Sequence, residues 1–253
     1  MEPYFKFQDQ SVIAAPHGGG PWDPSMLHGG APTALITRLV EDIPTKVPMR
    51  LTRLTIDLKR PVPVGQIDFD VTVTREGRNI QTAEIILTAN GKEVVRASAL
   101  RIRKTALDLP PEAALPATGL KPPTELPPFM RTVGFNSGVR AGPAEATPPG
   151  AANAVWFRIE RPFFDDVPTT PLMRAAATGD YCNGFGCPLD FEAWTYINAD
   201  LSLHFTRDPV GEWMMLAANS WIGPDGNGLA YGELSDSKGT FGRAVQSLVI
   251  AKR

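Results

Sequence analysis

The chain has 253 residues, 43% of them hydrophobic and 21% charged, with a formal net charge of −2. Those values fit a globular protein with room for one large or two small cores. Near-neutral charge without a basic run excludes an electrostatic footprint for nucleic acid or an anionic membrane, and no apolar stretch reaches the ~18 residues of a membrane-spanning helix.

The N-terminal MEPYFKFQDQ has no basic segment leading into an apolar core, so no secretory signal is expected. The two cysteines, Cys182 and Cys187, form a lone C-x4-C, a poor zinc site. Reduced, buried thiols and a cytoplasmic address are the expectation. His17, His28 and His204 are too scattered for a metal site, and no metal or cofactor is expected. The HGGGP run at 17–21 is loop chemistry, because no strand–GxGxxG–helix unit surrounds it.

In chain order, residues 5–15 read as a first strand, followed by a glycine- and proline-rich loop. A helix is then expected over about 30–43, with Ala31, Ala34, Leu35, Ile36, Leu39, Val40 and Ile43 on a wide apolar face. Pro32 suits its first turn and Pro44 stops it. Gly29 and Gly30 leave backbone N–H groups unshielded at the positive end of its dipole. Such a terminus serves an anion or a developing oxyanion, or is simply a tight turn. Strands are expected at about 49–60, 66–75, 79–90 and 93–103, with Asn90-Gly91 a strong hairpin signal between the last two.

Residues 105–128 are dominated by proline and alanine without periodicity, which marks a linker. The order then restarts: strands near 131–139 and 154–161, then a helix opened by Thr170 as N-cap and Pro171, and ended by Asn183-Gly184. Strands follow at about 195–207, 212–222, 228–236 and 241–251. A constant offset of 147 residues lays Leu54 on Leu201, Arg60 on Arg207, Arg96 on Arg243 and Ala97 on Ala244. RPVPVG at 60–65 also matches RDPVG at 207–211 after a one-residue gap. Shared element order and these identities indicate an internal duplication. The expected organisation is one α+β unit over 1–104, the linker, and a second unit over 129–253.

A buried helix wrapped by an antiparallel sheet, made twice, resembles the double hotdog fold. The chain resembles the two-hotdog acyl-CoA thioesterases of the thioesterase II type. The residues that carry the likeness are LHGGAPTALITRLVED, INADLSLHFTRDPVGEWMMLAANS, GNGLAYGELSDSKG and RAVQSLVIAKR. The resemblance implies hydrolysis of an acyl-CoA thioester by a water held between an Asp, a Thr or Ser, and a Gln of the second hotdog. Carried over by position, these fall on Asp200, Ser220 and Gln246, with Gly29 and Gly30 as oxyanion donors. The first-half counterparts Arg53, Val73 and Ala99 carry none of this chemistry.

On its own chemistry Asp200 is either a general base or a solvated strand residue, sharing a face with Ser202, His204 and Thr206. Ser220 is either the hydroxyl of the site or one satisfied by backbone, and Asn219 is a rival for its role. Gln246 stands in phase with Ala244, Leu248 and Ile250, so its carboxamide needs partners whether it is catalytic or bridges two strands. Arg60 and Arg207 read as surface residues or phosphate contacts for CoA. Asp180 and Asn183 read as turn chemistry, and His28 as a loop residue. Two readings compete with hydrolysis. One is a non-catalytic acyl-CoA or lipid-binding protein; the other is a hotdog enoyl-CoA hydratase, for which an Asp and a His in the required context are missing. Pairing into a homo-oligomer through the open sheet faces is a further expectation.

Overall fold

The computed structural model describes residues 1–113, 121–125, 128–129, 132–144 and 153–253. The first half starts with a hairpin, β1 (Phe5–Gln8) and β2 (Ser11–Ala14). Asp9 turns it at a φ of 40°, so the single strand expected over 5–15 is two. Helix α1 (Gly30–Glu41) follows, and then a meander of β3 (Met49–Leu58), β4 (Gly65–Glu76), β5 (Ile80–Ala89) and β6 (Lys92–Arg103). Asn90 and Gly91 both take positive φ between β5 and β6, as the Asn-Gly hairpin signal requires.

The second half has β7 (Val139–Pro143), β8 (Asn153–Ile159), helix α2 (Pro171–Gly179) and a short helix α3 (Cys182–Gly186). The strand expected near 131–139 is a 3-10 turn over Gly134–Gly138, and pairing begins only at Val139. Part of the expected linker, residues 114–120 and 126–127, lies outside the described residues. The remaining strands are β9 (Trp194–Asn198), β10 (Asp200–Phe205), β11 (Trp213–Ile222), β12 (Asn227–Asp236) and β13 (Gly239–Lys252).

All strands join one antiparallel sheet in the order β1-β2-β4-β5-β6-β3-β10-β13-β12-β11-β8-β7, with β9 also on β13. The order reads the same from either end once each strand is replaced by its counterpart in the other half. The seam is β3 against β10, where Leu54 faces Leu203 and Asp57 faces Asp200. This is the double hotdog, two helices wrapped by one continuous sheet.

The α1 face is buried as its spacing predicts: Ala31, Ala34, Leu35 and Ile36 have no solvent exposure. Burying each larger aliphatic side chain contributes about 1.5–3 kcal/mol. Even Arg38 is buried, because its guanidinium forks onto Asp166 at 2.6 and 2.7 Å and lies 3.8 Å over the Phe7 ring. In α2 the run Ala175-Ala176-Ala177 is fully buried, and such small side chains let the helices approach closely. No helix among the described residues is long and apolar enough to cross a membrane.

One local irregularity shapes the site. The strand expected over 195–207 breaks at Ala199, whose N–H donates to Ser247 O while its carbonyl accepts from Leu58 N–H. Before the break Tyr196 points inward; after it Leu201, Leu203 and Phe205 do. A slip of one residue exchanges the two faces of a strand.

Candidate functional site

The helices lie antiparallel at the centre, so the N-terminus of α1 meets the C-terminus of α2. There Gly30 approaches α2 so closely that a Cβ on it would stand 3.1 Å from Ala177 O. Asp180 caps α2 at its C-terminal end, with its backbone N–H on Ala177 O and Thr178 O. Its carboxylate lies against Gly29: a Cβ there would stand 2.5 Å from Oδ1 and 2.8 Å from Oδ2. Only glycine leaves room for that contact. A carboxylate is disfavoured at the end of its own helix and favoured at the start of another. The fold therefore places Asp180 where α1 compensates what α2 opposes.

The carboxylate is 4% exposed and has two neighbours with polar side chains. Asn198 Nδ2 donates to Oδ1 at 3.0 Å, and His28 Nδ1 lies 3.1 Å from Oδ2. The same His28 nitrogen accepts from Gly30 N–H at 3.0 Å. The imidazole is clamped between Phe135, stacked at 4.7 Å, and the Tyr181 ring, also at 4.7 Å. Tyr181 is held in turn by its hydroxyl, which donates to Asn136 Oδ1 at 2.7 Å, and burial pushes its phenol well above the usual range. Gln246 is fully buried beneath the turn: Oε1 accepts from Asn183 N–H at 3.0 Å, and Nε2 donates to Asp180 O at 3.1 Å. It fixes the backbone on both sides of the α2–α3 junction.

These groups open on a cavity of about 790 Å³. Gly29, His28, Asp180 and Asn198 line its floor, and Trp22, Phe129, Phe185, Phe191 and Tyr196 supply much of the apolar wall. Lys59 and Arg60 also line it, and both are tied to Glu93, the first through its carboxylate and the second through its carbonyl. At the helix end, α1 has no side-chain cap; Ala31 N–H bonds His28 O and Thr33 N–H bonds Gly29 O. The Gly29 N–H has no acceptor among the described residues. A helix terminus whose Gly29 N–H has no acceptor among the described residues, one carboxylate and the Asn198 carboxamide at the bottom of an apolar cavity, with Gln246 buried beneath them, form a place to polarise a carbonyl and hold a water.

Two family models match the chain: the acyl-CoA thioesterase N-terminal domain over residues 14–102 and the acyl-CoA thioesterase C-terminal domain over residues 108–250. The chain belongs to the acyl-CoA thioesterase family. Among solved structures it is similar to a Thermobifida fusca protein assigned as a thioesterase II, with 14% identity and a TM-score of 0.72, covering 97% of this chain and 94% of that one. It is also similar to acyl-CoA thioesterase II TesB2 from Mycobacterium marinum, with 17% identity, a TM-score of 0.66 and coverage of 98% and 94%. The tesB protein of Mycobacterium avium subspecies paratuberculosis gives 15% identity, a TM-score of 0.60 and coverage of 98% and 96%. At such identities these likenesses speak for the fold alone. A search of curated protein sequences returned no match.

Within this thioesterase fold the three side chains expected to act together are not brought together. Gln246 points into the core beside the cavity floor. Asp200 shares the outer face with Ser202 and His204, and its Oδ1 accepts from Ser247 N–H at 2.5 Å. The break at Ala199 is the physical reason: it turns Asn198 toward Asp180 and leaves Asp200 on the other side. Ser220 is on the inner face, in register with Ala230 and, through it, with Gln246. That register leaves Ser220 two strands from Gln246, ~10 Å at the usual strand spacing. Its Oγ is buried without a hydrogen-bond partner. Gly29 and Gly30 do lie at the site, though Gly30 N–H is taken by His28.

Asp180, Asn198 and His28 are the residues that sequence reasoning passed over. A signal for Asp180 was present: an acidic residue ending a helix of small residues sits where the dipole disfavours it, and such a misfit points to function. Arg207, read as a surface residue, forks onto buried Asp236 at 2.7 Å and secures the turn after β10. Both cysteines are free; Cys182 is buried, and that burial pushes its thiol up, so it is inert.

Proposed function

We propose that the protein hydrolyses an acyl-CoA thioester to a free acid and CoA, with water held by Asp180 as the nucleophile. The observation that carries this reading is the Asp180 carboxylate seated against the uncapped N-terminus of α1 at the floor of an apolar cavity. The Asp, hydroxyl and Gln that the family resemblance implies are assigned here to Asp180, Asn198 and Gln246. A carboxamide thus replaces the hydroxyl, and Asp200 and Ser220 stand outside the set.

Asn198 holds Oδ1 through its N–H, which leaves Oδ2 to face the water and the Asn198 carbonyl to accept from it. Gln246 acts one step back, fixing the peptide that carries Asp180. As the water oxygen bonds to the thioester carbon, charge develops on the carbonyl oxygen, where the Gly29 N–H and the α1 dipole stabilise it. One such donor is worth about 10²–10³ in rate. Collapse of the tetrahedral intermediate breaks the C–S bond and expels CoA. The acyl group occupies the aromatic-walled cavity, and Lys59 and Arg60 border the path of the CoA phosphates.

The test is turnover on acyl-CoAs from acetyl to palmitoyl for wild type and Asp180→Asn. Hydrolysis by wild type that falls at least ~10³-fold in the variant is expected. Tight binding without hydrolysis by wild type would instead make the protein an acyl-CoA carrier.

A further inference from the structure

We infer that His28 relays the proton gathered by Asp180 to the departing sulfur, an inference that rests on the thioesterase reading above. His28 reaches two partners with one nitrogen: Nδ1 stands 3.0 Å from Gly30 N and 3.1 Å from Asp180 Oδ2. A ring nitrogen either accepts or donates in its plane, so these two contacts alternate. With Nδ1 bare it accepts from Gly30, and the ring proton is on Nε2. Nε2 has no hydrogen-bond partner among the described residues and is not among the buried unpartnered atoms, while the ring lines the cavity. A donor is therefore presented to the cavity, with the acid–base carboxylate on the opposite edge of the same ring. The clamp of Phe135 and Tyr181 keeps the imidazole from turning away.

The step balances without a co-reactant. Water gives a proton to Asp180 Oδ2 as its oxygen bonds to the acyl carbon. That proton passes from Oδ2 to Nδ1. When the C–S bond breaks, its electron pair goes to sulfur, which takes the proton from Nε2. The products are the free acid and the thiol, Asp180 is again a carboxylate, and His28 is neutral in its other tautomer. Solvent exchange restores the starting form. Protonating Nδ1 also releases the Gly30 N–H while negative charge stands on the carbonyl oxygen, so a second backbone donor becomes free when it is needed.

A relay to sulfur matters only when the leaving group needs a proton. CoA leaves as an alkyl thiol, akin to cysteine with a pKa of about 8.5, whereas a nitro-substituted thiophenol departs readily as the thiolate. The experiment measures kcat on one acyl group carried by CoA and by 4-nitrothiophenol, for wild type, His28→Gln and His28→Asn. The expected result is a loss of about 10²–10⁴-fold on the CoA thioester and less than ~5-fold on the aryl thioester. Retained aryl activity shows at once that the variants are folded. Equal losses on both substrates in both variants would overturn the relay and leave His28 a packing residue. Wild type inactive on both substrates would instead remove the thioesterase reading itself.

Discussion

The two ends of the central helix pair are related by the internal repeat, yet only one has the makings of a reactive site. At the first, the Gly30 N–H is taken by His28 Nδ1, but the Gly29 N–H has no acceptor among the described residues, and the terminus faces the Asp180 carboxylate. At the second, the N-terminus of α2 is closed: Thr170 Oγ1 accepts from Met173 N–H, and Pro171 has no N–H to offer. Laying Pro171 on Gly30 sets Leu39 where Asp180 stands. The 147-residue offset sets Leu51 opposite Asn198 and Ala99 opposite Gln246. The second end keeps a hollow of only about 320 Å³, lined by Glu41, Arg50, Arg101, Lys104 and Asp208. Its charges are held in place: Arg50 and Lys104 are both on Asp208 at 2.9 and 2.5 Å, Arg101 donates to Ile43 O and Gln81 Oε1, and Glu41 accepts from Thr170 Oγ1. The fold thus supplies a helix terminus against a sheet twice. Whether that terminus becomes a site depends on the cap: at the second end the carboxylate from the other helix, Glu41, meets the Thr170 hydroxyl instead of open backbone N–H groups.

The sharpest way to break this contrast is at Asp180. Asp180→Asn removes the charge that faces the α1 terminus and should lower kcat/KM for the best acyl-CoA by ~10³-fold or more, with the fold intact by circular dichroism. Gly29→Ala comes next. Its Cβ would stand 2.5 Å from Oδ1, so the carboxylate must withdraw from the helix terminus. Loss of about 10²-fold in kcat is expected, whereas Thr170→Ala at the other end should leave kcat unchanged and lower only stability, by ~1 kcal/mol, for the lost cap.

Gln246→Ala separates positioning from chemistry. It strips Asn183 N–H and Asp180 O of their buried partner, so a stability loss of about 1–3 kcal/mol should show in a denaturant melt. A fall in kcat should accompany it, because the Asp180 peptide loses its anchor. Asp200→Asn should change kcat/KM by less than ~2-fold, since the one described hydrogen bond of its side chain is from Ser247 N–H on the outer face. A large loss there would return the reaction to the outer residue and dissolve the contrast between the two ends.

How much of this was legible in the sequence follows from what each feature depends on. Helix α1 was visible because its buried face repeats at the helical period and its ends carry proline and glycine. Strands β4, β5, β6, β11, β12 and β13 were legible to within about two residues, because alternation and Asn-Gly turns are local signals. Of the residues proposed for the site, only the two glycines and Gln246 are singled out by the sequence. What hid Asp180 was that its partners, His28 and Asn198, come from 152 residues before it and 18 after it. Asp200 is reached by position alone, and the break at Ala199 is what turns Asn198, not Asp200, toward the cavity. A bulge leaves no signature in a run such as TYINADLSLHF, yet it reverses which side chains face the core.

The smallest expected effect lies at the closed end, where Glu41 accepts a hydrogen bond from Thr170 Oγ1 at 2.8 Å. Burial raises the Glu41 carboxyl above its ordinary value, and nearby Asp42 adds to the rise against the opposing hydrogen bond. An acid whose folded pKa is raised favours the native state while protonated. That contribution is present below the unfolded pKa, about 4.3 for Glu, and is lost as pH rises through the folded value. At pH 7 the ionised carboxylate is therefore a small liability. Glu41→Gln should raise stability by a few tenths of a kcal/mol at pH 7, the modest size following from a side chain that still reaches solvent, and the gain should vanish below pH ~4. A paired thermal-melt series at pH 3.5, 5 and 7 reads this directly. A variant less stable than wild type at pH 7 would mean that the Thr170 bond to the ionised carboxylate outweighs its desolvation, and that the second end is held shut by Glu41 rather than in spite of it.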